Sequence, residues 1–209
     1  MKRKLLSVAL LVISGAANAG LSFNQSSVAT RTEAFDVATL PAYAVGTSLG
    51  LGALETNEQG TITFTFLGEE SGFNNKFHLT IGPTQTLSES PTGTQASAFV
   101  SSLGPVSFKF EGDVGSFATN GGAWSPGTSI GLIGSNMTVS SGLAAGNYQY
   151  VIGYNDSAGA STLGDWDDYV VGVNFTPAIP EPEIYAMMGL GLGLMGWVGR
   201  RRKQHTAAA

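Results

Sequence analysis

From residue 60 to residue 176, apolar and polar positions alternate with a period of two, the spacing of strands that bury one face. Ile62, Phe64 and Phe66 alternate with Thr61, Thr63 and Thr65, which predicts a half-buried strand of β-branched and aromatic residues. Phe77, Leu79 and Ile81 repeat the pattern after an FNNK turn at residues 73–76. Val106, Phe108 and Phe110 form another strand, closed by Glu111-Gly112-Asp113. Met137 and Val139 mark a short strand, and Tyr148, Tyr150, Ile152 and Tyr154 a long one fed by a turn at residues 143–147. The last strand runs from Tyr169 to Phe175, with Tyr169, Val171, Val173 and Phe175 on one face. Turn signals separate these runs at Gly82-Pro83, Gly104-Pro105, Asn120-Gly121-Gly122 and Ser125-Pro126-Gly127. The pattern predicts an all-β fold, a β-sandwich of the jelly-roll or immunoglobulin-like kind. Residues 21–60 are less regular. Arg31 to Leu40 reads as an edge strand or a short helix, and the Ser/Thr-rich stretch from Thr84 to Ser97 reads as an exposed loop.

Composition agrees with the pattern. Glycine takes 29 of 209 positions and charged residues only 12%, a poor composition for helix interiors. The 43% hydrophobic share supplies enough apolar surface for a core. With no cysteine, thiolate metal sites, disulfide scaffolds and cysteine nucleophiles are all excluded. The net charge of −5 is unevenly spread. Between Gly20 and Pro180 only Arg31, Lys76 and Lys109 stand against thirteen acidic side chains. Such a body repels phosphate backbones, so nucleic acid is not an expected partner.

Both ends of the chain read as addresses. Residues 1–19 carry Lys2-Arg3-Lys4, an apolar run to Ala17, and Ala17-Asn18-Ala19 before Gly20. These are the three parts of a secretory signal peptide, with cleavage expected after Ala19. The body then spans residues 20–176. A Pro-rich spacer over 177–183 holds Pro180, Glu181 and Pro182; an apolar segment over 184–199 follows, and a basic tail over 200–209 begins Arg200-Arg201-Arg202-Lys203. Sixteen residues of helix reach about 24 Å, slightly short of a ~30 Å hydrocarbon core. The basic cluster acts as a stop on the inner side, which predicts a transmembrane sorting helix with the body outside.

The order Pro180-Glu181-Pro182, a Gly-Leu repeat from Gly189 to Leu194, and Arg200 to Arg202 resembles the PEP-CTERM protein-sorting signal. The resemblance covers about the last 25 residues. That family belongs to Gram-negative bacteria that make extracellular polysaccharide. It implies an exosortase-like membrane enzyme that recognises Pro-Glu-Pro and removes the tail, after the export machinery has delivered the chain. It also implies a destination at the outer surface, or in an exopolysaccharide or biofilm matrix.

Candidate chemistry in the body is sparse. His78 stands mid-strand on the polar face, and no G-x-S-x-G motif accompanies it. A glycosidase needs two carboxylates across a cleft, which sequence cannot pair. The sharpest local feature is Gly164-Asp165-Trp166-Asp167-Asp168-Tyr169, entering the last strand. Asp165, Asp167 and Asp168 repel one another unless water or a cation screens them. With Asp156 at the end of the preceding strand they form a candidate Ca2+ site, since Ca2+ favours closely spaced oxygen ligands on loops. The competing reading is a solvated acidic turn with Trp166 packed as a lid. Glu69-Glu70 leave a strand into a Gly-bounded loop, which reads as a turn carrying negative charge or, as the alternative, as a source of further cation ligands. Trp124, framed by glycines, and Trp166 are candidates for stacking on a sugar ring. The expectation is therefore a non-catalytic exported protein. A calcium-dependent carbohydrate-binding module and a secreted polysaccharide hydrolase are the alternatives.

Overall fold

In the computed structural model the chain divides into two compact units, Met1–Pro177 and Ala178–Ala209. The structure describes residues 20–31, 37, 46–89, 91–112, 115–123, 127–140, 142–156, 165–178 and 187–195. The first unit holds twelve strands among these: β1 Leu21–Thr30, β2 Ser48–Thr56, β3 Gly60–Gly68, β4 Lys76–Leu79, β5 Gln85–Leu87, β6 Gln95–Val100, β7 Gly104–Pro105, β8 Phe108–Glu111, β9 Phe117–Thr119, β10 Ser129–Val139, β11 Gly146–Asn155 and β12 Tyr169–Pro177. They form two antiparallel sheets. The larger runs β1-β2-β10-β11-β12-β3-β6, with β7 on the end of β2, and the smaller runs β5-β4-β8-β9.

The larger sheet is curled. Strands β2 and β3 are joined through residues 57–59, yet β10, β11 and β12 lie between them. Four flat strand spacings would need about 19 Å, while four residues of chain reach at most about 14 Å. The two edges therefore approach one another at this end. Thr56 Oγ1 donates to Ser102 O at 3.2 Å and Gln59 Nε2 to Ser101 O at 3.0 Å, tying the β2–β3 turn to the β6–β7 connection.

Two cores result, one on each face of the large sheet. On one face Phe64, Phe66, Ile152, Tyr154, Tyr169 and Val171 meet Phe77, Phe108 and Phe110 of the small sheet. The rings are close: Phe64 to Phe77 at 4.6 Å and Phe110 stacked on Tyr154 at 5.2 Å. On the other face Leu67, Ile133, Tyr148, Val151, Val170 and Trp166 pack together. The central strands are thus buried on both sides, so Val170 and Val171 are both fully buried.

The all-β expectation and the alternation of β3, β4, β8 and β12 match the structure; in β11 Tyr150, Ile152 and Tyr154 share one core, while Tyr148 joins the other. Three local expectations do not match. Residues 21–30 and 48–56 form regular strands, β1 and β2. The stretch from Thr84 to Ser97 contains β5 and the start of β6 rather than a loop. The short strand at Met137 is the end of an eleven-residue strand whose alternation breaks at a register shift between Leu132 and Gly134. In the second unit a helix covers residues 187–195, about 13 Å in length. The rest of the 184–199 segment expected to cross a membrane lies outside the described residues. Among the described residues no helix is long and apolar enough to do so.

Candidate functional site

The register of β12 against its neighbours gathers the acidic residues at one corner. Tyr154 pairs with Tyr169, which brings Asp156 beside the 165–168 segment. Val170 pairs with Gly68, which carries Glu69 and Glu70 to the same place. The Glu70 N–H donates to the Asp167 carbonyl at 3.1 Å, fixing the two segments. One carboxylate oxygen from each of Glu70, Asp165 and Asp167 then lies within 4.8 Å of the others. Ca2+ binds oxygen at roughly 2.4 Å, so these three could share one such ion.

Asp156 and Asp168 do not join this group; they face each other nearby. The Asp156 N–H donates to Asp168 Oδ2 at 2.7 Å. Asp156 Oδ2 accepts from Ser71 Oγ at 2.7 Å and Asn75 Nδ2 at 2.6 Å. Asn75 Nδ2 also donates to the Asp168 carbonyl at 3.2 Å, and the Asn75 N–H to Glu89 Oε1 at 3.0 Å. Burial pushes the Asp168 carboxyl up to about 8, with the Asp156 and Asp165 charges adding to the rise and the Asp156 N–H opposing it. Burial also pushes Glu69 up to about 7, reinforced by Glu89 and Asp156. Asp168 therefore holds a proton at neutral pH, and donation between the two carboxyls relieves their repulsion.

The expected solvated turn is thereby corrected. Asp156, Asp167 and Asp168 are buried, at 5%, 0% and 6% exposure, and only Asp165 is partly open. A protein cation also reaches Asp167. Arg31, at the end of β1, lies with its Nη2 4.0 Å from Asp167 Oδ1, and both side chains are fully buried. Glu70 was offered by the sequence as a turn charge or a further cation ligand, but its place beside Asp165 and Asp167, like the role of Arg31, was not read, because each lies far along the chain from the 165–168 segment. Only strand register could have linked them.

Trp166 is 1% exposed and its Nε1 donates to Ser129 Oγ at 2.8 Å. Its ring covers Gly131, where a Cβ would stand 2.8 Å from the indole. It is the packed lid of the second core, and no face is left for a sugar. Trp124 lies outside the described residues, as do Ala17, Ala19, Pro180, Glu181, Pro182 and Arg200 to Arg202.

His78 sits on the outer face of the small sheet. Its Nδ1 meets Thr86 Oγ1 at 2.9 Å and its Nε2 lies 3.6 Å from Glu111 Oε2, which Lys109 also binds. Burial and the Lys109 charge lower its pKa, with Glu111 opposing them, which favours the neutral ring. A cleft of about 420 Å³ lies elsewhere, lined by Asn24, Ser26, Gly52, Ala53, Glu55, Pro105, Gly121 and Gly122. Glu55 is its one carboxylate, and Asn24 Nδ2 donates to it at 3.0 Å. Buried Asn120 holds one wall, accepting from Leu54 N and donating to Leu54 O and Val106 O, each at 2.8 Å.

Residues 178–203 match the family model of the PEP-CTERM protein-sorting motif. No curated protein and no solved structure matches the chain.

Proposed function

We propose that this is an exported, non-catalytic protein of the cell surface or extracellular matrix, associated with exopolysaccharide. The match at residues 178–203 carries the reading, since the motif marks a chain for export and for processing by an exosortase-type membrane enzyme. Residues 1–19 act as the export leader. Pro180-Glu181-Pro182 is the recognition element, the apolar segment 184–199 holds the tail at the membrane, and Arg200 to Arg202 stop its transfer. What remains is a sandwich-like body of two sheets. A body without a catalytic site fits the surroundings of its carboxylates. Two-carboxylate hydrolysis needs a pair across a cleft, while among the described residues the cleft is lined by one carboxylate, Glu55, and the Asp156–Asp168 pair is in mutual contact in the interior. Mass mapping of the exported protein's C-terminus tests the sorting. A chain ending near Pro180-Glu181-Pro182 in a host with exosortase, and intact without it, is the expected result. A tail still carrying Arg200 to Arg202 in the exosortase-bearing host overturns it.

A second reading concerns calcium at the Glu70–Asp165–Asp167 corner. One observation favours it beyond the clustering: Asp165 Oδ1 is a buried oxygen with no hydrogen-bond partner among the described residues, and a ligand is the common remedy for such an atom. Calcium titration of the exported protein, followed by thermal unfolding, tests this. No rise in midpoint between EDTA and millimolar calcium removes the reading.

A further inference from the structure

Gly20, the residue before β1, is buried and has a left-handed φ of 83°. Its carbonyl accepts the Asn57 N–H at 3.3 Å, and Leu21 beside it is fully buried and paired with Thr56. No side chain fits at this position. A Cβ would overlap the ring of Phe175 and stand 2.9 Å from Glu58 Oε1. The same ring lies against Gly60, so Phe175 is gripped between two glycines and is 6% exposed. Phe175 in turn sits two residues before the end of β12. The start of β1 and the end of β12 therefore meet at one pole of the body, around one ring and one carboxylate.

The main-chain nitrogen of a residue lies about 2.5 Å from its Cβ position by tetrahedral geometry. The Gly20 nitrogen is accordingly no more than about 5.4 Å from Glu58 Oε1. Hydrolysis of the Ala19–Gly20 peptide bond adds water across it, leaving a carboxylate on Ala19 and an amine on Gly20. An α-amino group titrates near 7.7–8.0 when unperturbed, and an opposite charge at this range favours its protonated form. We propose that leader removal places the new α-ammonium of Gly20 in a seat formed by the Glu58 carboxylate and the Phe175 ring, so that the processed end is locked into the fold. The inference rests on the export reading and on cleavage after Ala19. It adds a structural reason for glycine as the first residue of the processed chain.

The surroundings leave Glu58 in charge of this seat. On β2, Glu55 lies opposite Ser22 and binds Asn24. The start of β3 (Gly60–Ile62), the end of β12 (Phe175–Pro177) and the 101–103 connection carry no charged side chain. The sign of the pH effect follows. The folded pKa of the amine is raised above its unfolded value, so the added stability is complete below about pH 7.7. It is lost as pH rises through the folded pKa.

The test uses the exported protein recovered from its host, as wild type, Glu58→Gln and Glu55→Gln. Mass analysis of the N-terminus comes first, and a chain beginning at Gly20 is expected. The free α-amine is then labelled at neutral pH with an amine-selective ester, and its rate is read at the N-terminal peptide. A pKa raised by one unit makes the amine about tenfold less reactive, so Glu58→Gln should label roughly tenfold faster than wild type while Glu55→Gln does not. The thermal midpoint of Glu58→Gln should be lower by a few degrees at pH 6.5 and equal to wild type at pH 10.5. Equal labelling rates in all three proteins, with the chain beginning at Gly20, overturn the seat and leave the sorting intact. A chain beginning elsewhere overturns the seat through the cleavage position, again without touching the C-terminal result.

Discussion

The Asp168 carboxylate accepts the backbone N–H of Asp156 at 2.7 Å, and both side chains lie in the interior of the body. The contact joins the end of β11 to the entry of β12 and makes that joint sensitive to protons. Asp168 is pushed up to about 8 and Glu69 to about 7, both chiefly by burial. For each, the native state holds a proton over a pH range where the unfolded chain has lost it. Their contribution to stability is complete below the unfolded values near 4 and declines as pH rises toward 7 and 8. In EDTA, stability and with it the thermal midpoint should therefore fall between pH 5 and pH 8. The stability falls by at most about 1.4 kcal/mol per pH unit for the Asp168 proton, and by much less for Glu69, whose partly exposed carboxyl is screened by water. A midpoint that rises over this range contradicts the assignment.

Asn at position 168 reproduces the protonated state. Its carbonyl can accept the Asp156 N–H and its amide can donate to the Asp156 carboxylate. Asp168→Asn should raise stability at pH 8, leave it nearly unchanged at pH 5, and flatten the pH profile between them. Urea unfolding at the two pH values reads this directly.

How much of this corner was legible depends on the span of the relationship. Ile62, Phe64 and Phe66 read correctly because β3 faces the aromatic core along one side, and the period-two signal survives. At β10 both faces carry apolar residues, Ile130 and Leu132 toward one core and Ile133 and Val139 toward the other, so no single-face alternation marks the strand, and its pairing with β11 shifts register between Leu132 and Gly134. Strand β6 misleads in another way. Its core-facing positions are Ala96, Ala98 and Val100, two of the three small, while Phe99 points outward at 54% exposure. Strand β1 is an edge with a largely exposed polar run, which gives no apolar period to read. The acidic run at residues 165–168 was visible, but its sharing of space with Glu70 and Arg31 depends on pairings made across the whole sheet.

Arg31 and Asp167 illustrate the energetic cost of that arrangement. Both are removed from water, and their separation of 4.0 Å offsets only part of the desolvation. Deleting one partner leaves a buried charge among other carboxylates. Arg31→Met should destabilise the body by about 3–5 kcal/mol, and adding Asp167→Asn should recover a substantial part of the loss. Additive effects in this double-mutant cycle would show that the pair does not interact.

Asn120 is a neutral counterpart. Its side chain makes three hydrogen bonds of 2.8 Å to the main chain of Leu54 and Val106. Asn120→Ala takes the side-chain partner from the Leu54 N–H and the Val106 carbonyl, while Leu54 O keeps the Val106 N–H at 3.0 Å, at about 1–3 kcal/mol for each such loss. A loss of roughly 3 kcal/mol in denaturant unfolding is expected, together with faster amide exchange at Leu54.

The strand pairing of β10 and β11 makes the sharpest steric prediction. Gly153, paired with Gly131, lies directly under the Trp166 main chain, and a Cβ there would overlap the Trp166 carbonyl. At Gly131 the obstacle is only the indole ring, a side chain able to shift by a few tenths of an ångström. Overpacking of a side-chain contact costs typically about 1–3 kcal/mol, whereas a backbone overlap forces the 165–168 segment away from β11. Gly131→Ala should therefore be tolerated with a modest loss and a still-buried Trp166. Gly153→Ala should detach the acidic corner and red-shift the Trp166 emission. Equal losses in the two variants would mean that Trp166, rather than the main chain of its segment, sets the packing on this face.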